Sequence, residues 1–411
     1  MKKNKKILIV SECFLPEEFK INDVALSWVK EGYSVDVLTL TPTYPQGKVF
    51  PGYKNKFFYK EKLHGMNVYR VRGVTGYREN FVKKVLRFLN FMCLGSFAAV
   101  LIGRKYDYIF GFNAGALTSM LPAVVTSKIY KKPLMFWVQD VWPDSLFAYG
   151  VHRNRFTSYF LDKFVAFMHR SLSSIAVSGR GFEKKLRPYV KKDIKFHYLP
   201  NWADDLDMSA RAAALGSMNL TQFTFAGNIG KQQNLENIIQ AFSSMPKKYQ
   251  EQSQLNIIGD GGNLDYLRLS GKDNSQVLFH GRKKRENMAQ FYKASDFLII
   301  SLVDDPIFSV TVPAKTQTYI AAKKPILAII NGDTADLVKQ YKLGLCAHPS
   351  DIDGIAKLFQ ECIDMEANCR EDYIKNNERL LNTIFKKEKI IDDLLTVLEG
   401  KDGDMISQKL G

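Results

Sequence analysis

Along the chain, short apolar runs alternate with longer stretches in which apolar residues recur every three or four positions, the rhythm of strands alternating with helices. Phe297–Ile300 is apolar at every position and reads as a parallel strand covered on both faces, which needs no polar alternation. Ile7–Val10, Val35–Leu40, Tyr106–Gly111, Leu134–Gln139, Ser174–Ser178 and His197–Pro200 read as strands in the first half. A helix that Asn22-Asp23 would cap runs to Lys30 and stops at Gly32, so the chain opens with a βαβ unit. Residues 54–72 interleave lysines with Phe57, Phe58 and Tyr59 and return as the strand Asn67–Val71, a hairpin.

The pattern restarts after residue 218. Strands are expected at Gln222–Ala226, Leu255–Ile258 and Val277–His280, and helices at Leu235–Ser243 and Asn287–Lys293. With 411 residues the chain exceeds what one core organises. The expected fold class is α/β, two doubly wound Rossmann-like domains facing across a cleft. Residues 1–200 form the first, 201–218 a linker, 219–385 the second, and 386–411 a C-terminal helix and tail.

Residues 81–103, FVKKVLRFLNFMCLGSFAAVLIG, break the alternation. Lys83, Lys84 and Arg87 lead into a helix that is apolar on nearly every side from Phe88 to Ile102. Those residues span about 22 Å, short of a hydrocarbon core of roughly 30 Å, so the segment is not expected to cross a bilayer. Burial against the sheet and contact with a membrane surface both remain open, the three cations being the membrane-contact candidates.

Charge sharpens that choice. Residues 1–200 hold 33 Lys+Arg against 14 Asp+Glu, leaving 25 against 28 for the rest of the 58 and 42, so the net +16 divides as +19 and −3. A basic first half calls for an acidic partner, either an anionic membrane surface or a diphosphate-bearing substrate. Nucleic acid is set aside because no recognisable reading module is present. Five scattered cysteines lack metal-ligand spacing, which disfavours disulfides and structural zinc and suits a reducing cytoplasm. The apolar run at Ile7–Val10 is shorter than a signal sequence requires.

Candidate chemistry gathers at the carboxyl ends of the strands. After Phe297–Ile300, Pro313 is placed to open a helix with Lys315 in its first turn. A lysine beside the positive end of a helix dipole suits an expected anion, so this reads as a phosphate seat, with an ordinary solvated lysine as the alternative. Asp140 follows the strand Leu134–Gln139 directly and is the candidate carboxylate near the reacting centre, the alternative being a cap on the next segment. The Asp205/Asp207 and Asp351/Asp353 pairs sit in the linker and at an expected helix start, so no metal is expected.

The order FAGNIGKQQNLENIIQAF, LNIIGDGG, VLFHGR, ASDFLIISL and VPAKTQTYIAAKKPIL resembles the donor domain of GT-B glycosyltransferases of glycosyltransferase family four. In the first half, TPTYPQGKVFPGY and WVQDVWPDSL resemble the WbuB-type, fucosamine-transferase-like branch of O-antigen and capsule assembly, and LPNWAD resembles the interdomain asparagine motif. The resemblance implies a nucleotide-sugar donor as substrate, with no cofactor, held by Asn228, Lys231, Gly259, Asp260, Gly261, Arg282, Pro313, Lys315, Gln317 and Thr318. It further implies transfer with retention of configuration to a polyprenyl-diphosphate-linked saccharide, by a peripheral protein on the cytoplasmic face of the inner membrane. Two departures stand out. Val310 and Thr318 replace the family's paired glutamates, and Asn228 and Gln233 replace its phosphate-binding Arg and Lys, leaving Lys231, Arg282 and Lys315 as the available cations. A sugar-nucleotide epimerase on the same fold and a non-catalytic membrane-bound scaffold are the competing readings.

Overall fold

The computed structural model describes residues 5–77, 81–148, 151–203, 206–209, 211–213, 215 and 219–401, without the side chains of Phe81, Lys84 and Ala148. The chain divides into two compact units, Met1–Pro200 with Glu388–Gly411, and Asn201–Lys387.

The first unit is built on eight strands: β1 Lys6–Val10, β2 Ser34–Leu40, β3 Phe58–Leu63, β4 Met66–Val71, β5 Tyr108–Asn113, β6 Leu134–Val138, β7 Ser174–Val177 and β8 Phe196–Tyr198. Their order is β3-β4-β2-β1-β5-β6-β7-β8, parallel except for the β3–β4 hairpin at one edge. The inner strands β1 and β6 are apolar and buried over nearly their whole length because helices cover both faces. One of those helices comes from the far end of the sequence. Lys387–Leu398 buries Ile390, Ile391, Leu394 and Leu395, and the Trp28 indole donates to the Ile391 carbonyl at 3.3 Å, so the expected C-terminal helix is part of this first core.

Two expectations about this unit are corrected. The first helix runs Lys20–Lys30 with Phe19 at its N-cap, and Asn22 caps nothing: buried inside the first turn, it donates to the Glu17 carbonyl at 2.7 Å. The greasy helix is also longer than its apolar core suggested. Helical turns run without interruption through Phe81–Asn90, a π turn at Phe91–Gly95, Ser96–Ile102 and Gly103–Lys105. Within it Val85–Lys105 makes 21 residues, with a mean hydropathy of 2.0 over its most apolar 18, a helix long and apolar enough to cross a membrane by length and composition. At ~1.5 Å per residue it reaches about 31 Å, so the length argument against spanning does not hold.

What the helix does in this fold follows from its two faces. Arg87, Phe91, Gly95, Ala99 and Gly103 are buried at a spacing of four and form the inner stripe. A Cβ on Gly95 would come 2.9 Å from Pro122, and one on Gly103 would come 2.6 Å from Thr126, so both glycines let this helix press against Leu121–Tyr130. The opposite face, with Val82, Val85, Leu86, Leu89, Phe97 and Leu101, is exposed.

Arg87 is therefore not a membrane-contact cation. Its Nε lies 2.9 Å from the Glu12 carboxylate and its guanidinium 4.4 Å from the Tyr77 ring centroid, fastening the helix to the loop after β1. Burial pushes the Glu12 carboxyl up, and the Arg87 charge opposes that rise. Nearby Glu17 accepts backbone N–H bonds from Phe14, Thr43 and Tyr44, tying the loops after β1 and β2 together. Lys83 is exposed, as the membrane reading requires. The Lys84 side chain lies outside the described residues.

The second unit carries six strands: β9 Thr221–Asn228, β10 Ser253–Asp260, β11 Val277–Gly281, β12 Phe297–Ser301, β13 Ile326–Ile329 and β14 Gly344–Ala347. All are parallel in the order β11-β10-β9-β12-β13-β14. This is the doubly wound order in which the direction of winding reverses between the first and fourth strands, here β9 and β12. Phe223, Phe242, Phe297 and Phe359 meet in its core, the Phe223 and Phe359 rings 4.8 Å apart. Asp351 accepts from the Gly354 N–H at 2.9 Å and starts the helix Ile352–Ile363, as expected for that Asp-x-Asp pair. In the other pair, Asp205 lies outside the described residues and Asp207 is exposed, bonded to Ser209.

Candidate functional site

In an open parallel sheet the crevice forms where winding reverses, outside the carboxyl ends of the strands. The second unit has a cleft of about 740 Å³ at that place. Ala226, Gly227 and Asn228 from the end of β9, and Ile258, Gly259, Asp260 and Gly261 from the end of β10, form one side. Arg282, Lys283 and Arg285 follow β11, while Ala314, Lys315 and Thr318 come from the helix Ala314–Ala321 after β12. The lining therefore carries four cationic side chains and one carboxylate, Asp260.

Lys315 is held differently from the other three cations. Arg282, Lys283 and Arg285 are exposed, whereas the Lys315 side chain passes over Gly227 and sets its amine 3.6 Å from the Phe225 ring centroid. That amine donates to the Gln233 side-chain oxygen at 3.2 Å. Desolvation pulls it down from the ordinary lysine range to about 7. Gly227 is required for this path, because a Cβ there would lie 2.5 Å from the Lys315 Cε and the backbone φ is +145°. The Pro313 N-cap has φ −59° and ψ 144°, so the fixed ring geometry sets the extended residue from which the helix springs.

Of the residues expected to hold a donor, the fold brings Asn228, Gly259, Asp260, Gly261, Arg282, Lys315 and Thr318 into one cleft. Lys231, Pro313 and Gln317 are not among its lining. Lys231 points from an exposed turn, and Gln317 is buried with its amide closing on the Pro313 and Ala314 carbonyls. Thr318 donates its hydroxyl back to the Ala314 carbonyl at 3.1 Å. Sequence reasoning missed Lys283, Arg285, Met288 and Tyr292, although the charged run Arg282–Arg285 directly after a strand's carboxyl end was a usable signal. It also missed Phe225 and Gln233 as the seat of the Lys315 amine.

In the first unit, Asp140 is partly buried just beyond the carboxyl end of β6. Desolvation pushes its carboxyl up, while the nearby Ser145 hydroxyl and Val141 backbone N–H work in the other direction. These partners fit a carboxylate that closes its own loop, and the upward shift fits one placed at a reacting centre. On the adjacent strand, Asn113 at the end of β5 is fully buried with its side-chain amide unpartnered.

With this geometry in place, similarity to known proteins can be weighed. Residues 211–380 match the family model for glycosyl transferases group 1. The chain is 24% identical over 276 residues to the probable glycosyltransferase WbjE of Pseudomonas aeruginosa, covering 64% of this chain and 68% of the relative. Among solved structures it resembles sucrose-phosphate synthase from Thermosynechococcus elongatus, with TM-score 0.70 and 14% identity over 97% of this chain and 99% of that one. It also resembles Anabaena Alr3699/HepE in complex with UDP, with TM-score 0.64 and 15% identity over 97% and 100%. The fold is GT-B, two Rossmann-like units. The family match spans the unit that carries the cationic cleft.

Proposed function

We propose that the protein is a retaining glycosyltransferase that moves a sugar from a nucleotide-sugar donor to a polyprenyl-diphosphate-linked saccharide in surface polysaccharide assembly. The observation that carries this reading is the cleft at the β9/β12 reversal, where Lys315 and Arg282 line one pocket with a helix N-terminus. The group 1 match over residues 211–380 and the UDP bound in the Anabaena relative support a nucleoside diphosphate there. Breaking a sugar–phosphate bond builds negative charge on the leaving diphosphate, and fixed cations in a partly closed site stabilise it without reorganisation. Gln233 occupies the position of a family lysine, and the Lys315 amine sits 3.2 Å from it, so we read the missing cation as supplied from another helix.

On the first unit we assign Asp140 to the acceptor. We place the protein on the cytoplasmic face of the membrane through the exposed sides of Val85–Lys105 and of the helix Arg155–His169. That second helix exposes Phe156, Tyr159, Phe160 and Phe167, and the Lys128 ammonium lies 3.8 Å from the Phe167 ring centroid. The stretch 81–105 holds five Lys or Arg and no Asp or Glu, which suits an anionic leaflet.

Incubation with a panel of labelled sugar nucleotides and membrane extract tests this function. A labelled lipid product is expected, and the Asp140→Asn variant should lose most of it while binding donor normally. An epimerised free nucleotide, or no product with any donor in the panel, would overturn the transferase reading.

A further inference from the structure

Lys315 is an unusual cation for a phosphate site. Its amine faces an aromatic ring and one neutral amide oxygen, and no carboxylate lies within ion-pair distance of it among the described residues. An ammonium withdrawn from most of its water in this way keeps only the Phe225 ring quadrupole and the Gln233 amide oxygen, together worth less than the hydration lost. The groups around it do not repair this. Asp260 on β10 is exposed and bonded to its own Gly261 N–H, and Arg282, Lys283 and Arg285 after β11 are like charges. Lys231, on the turn that carries Gln233, is exposed, and Tyr292 and Tyr319, behind the site, hold their protons more tightly than free tyrosine. Desolvation is the single cause of the downward shift of Lys315, with no neighbouring charge adding to it or offsetting it.

We infer that Lys315 takes up a proton from solvent as the donor diphosphate arrives and returns it when the nucleoside diphosphate leaves. The inference rests on reading the cleft as the diphosphate seat. The diphosphate brings the full negative charge that the empty site lacks, and a charge-assisted hydrogen bond to its oxygen favours the ammonium over the amine. The empty cleft thus avoids a permanently unpaired buried charge, and the cation forms only when there is an anion to meet it. Binding then depends on pH in a defined direction. With the free amine near 7, the protein must gain a proton to bind above that pH, so affinity weakens about tenfold per pH unit above neutrality.

Titration calorimetry of the full chain with UDP, GDP and dTDP at pH 8, in two buffers of different ionisation enthalpy, reads the proton directly. At pH 8 the diphosphates are ionised and about nine-tenths of Lys315 is neutral, so uptake of about 0.9 proton per ligand is expected. Lys315→Arg, which carries a permanent charge, should bind without buffer-dependent heat, whereas Arg282→Ala should bind more weakly yet take up the same proton. If the arginine does not fit above Gly227, the tenfold weakening between pH 8 and pH 9 in the parent protein gives the same answer. Heat that is independent of buffer, with affinity flat from pH 8 to 9, would overturn the proton coupling and leave the diphosphate seat standing. Failure of all three nucleoside diphosphates to bind would overturn both.

Discussion

Gly227 shows how one residue without a side chain sets the chemistry of its neighbour. Because the Lys315 stem crosses the space a Cβ would fill, Gly227→Ala must push the amine off Phe225 and away from Gln233. The expected outcome is a loss of UDP affinity as large as that of Lys315→Ala, with the far-ultraviolet dichroism unchanged. Gly262→Ala is the control: nothing lies within 4 Å of a Cβ there, so it should bind UDP as the parent does. Equal affinity in the Gly227→Ala protein would mean that Lys315 does not meet the ligand. The place of Lys315, in a first helical turn at the carboxyl end of a strand, was legible in the sequence as a candidate anion seat. Its partners were not, because Phe225 and Gln233 lie more than eighty residues away and only the β9–β12 pairing brings them under the same helix.

At the scale of the element, the long helix of the first unit separates into an inner stripe and an outer face, and the two should respond differently to mutation. Leu86→Ser, Leu89→Ser and Phe97→Ser together remove exposed apolar surface, each worth up to about 1.5 to 3 kcal/mol if it is buried in lipid. That triple variant should stay folded and stop sedimenting with anionic vesicles. Arg87→Ala should instead lower stability by about 3 to 5 kcal/mol, because it strands the Glu12 carboxyl inside the unit, and should leave lipid binding of the folded fraction unchanged. Vesicle sedimentation beside chemical denaturation of each variant checks both. If the triple variant sediments like the parent, this face does not meet a membrane. The sequence grouped Arg87 with Lys83 and Lys84 as one basic entry, yet it falls in the every-fourth-residue series that runs through Phe91, Gly95, Ala99 and Gly103 on the packed face. Counting periodicity back from the two glycines would have separated it.

For the whole molecule, the parallel strands were readable because inner strands covered on both faces are apolar at consecutive positions. The return of Lys387–Leu398 to the first unit was not, since its apolar stripe is satisfied by Trp28 and its neighbours more than 350 residues away. In the second unit the doubly wound class and the strands β9 to β12 were readable while β13 and β14 were not, and the observed strand order locates the cleft before any ligand is considered. The account therefore stands on one claim: the β9/β12 cleft holds a diphosphate through Arg282 and Lys315. The most direct test compares UDP with uridine in the parent, Arg282→Ala and Lys315→Ala proteins by equilibrium binding. Charge-assisted bonds of about 1.5 to 3 kcal/mol imply that each variant binds UDP about 10- to 150-fold more weakly while its affinity for uridine is unchanged. UDP binding that is insensitive to both substitutions, or an equal loss for uridine, would contradict it.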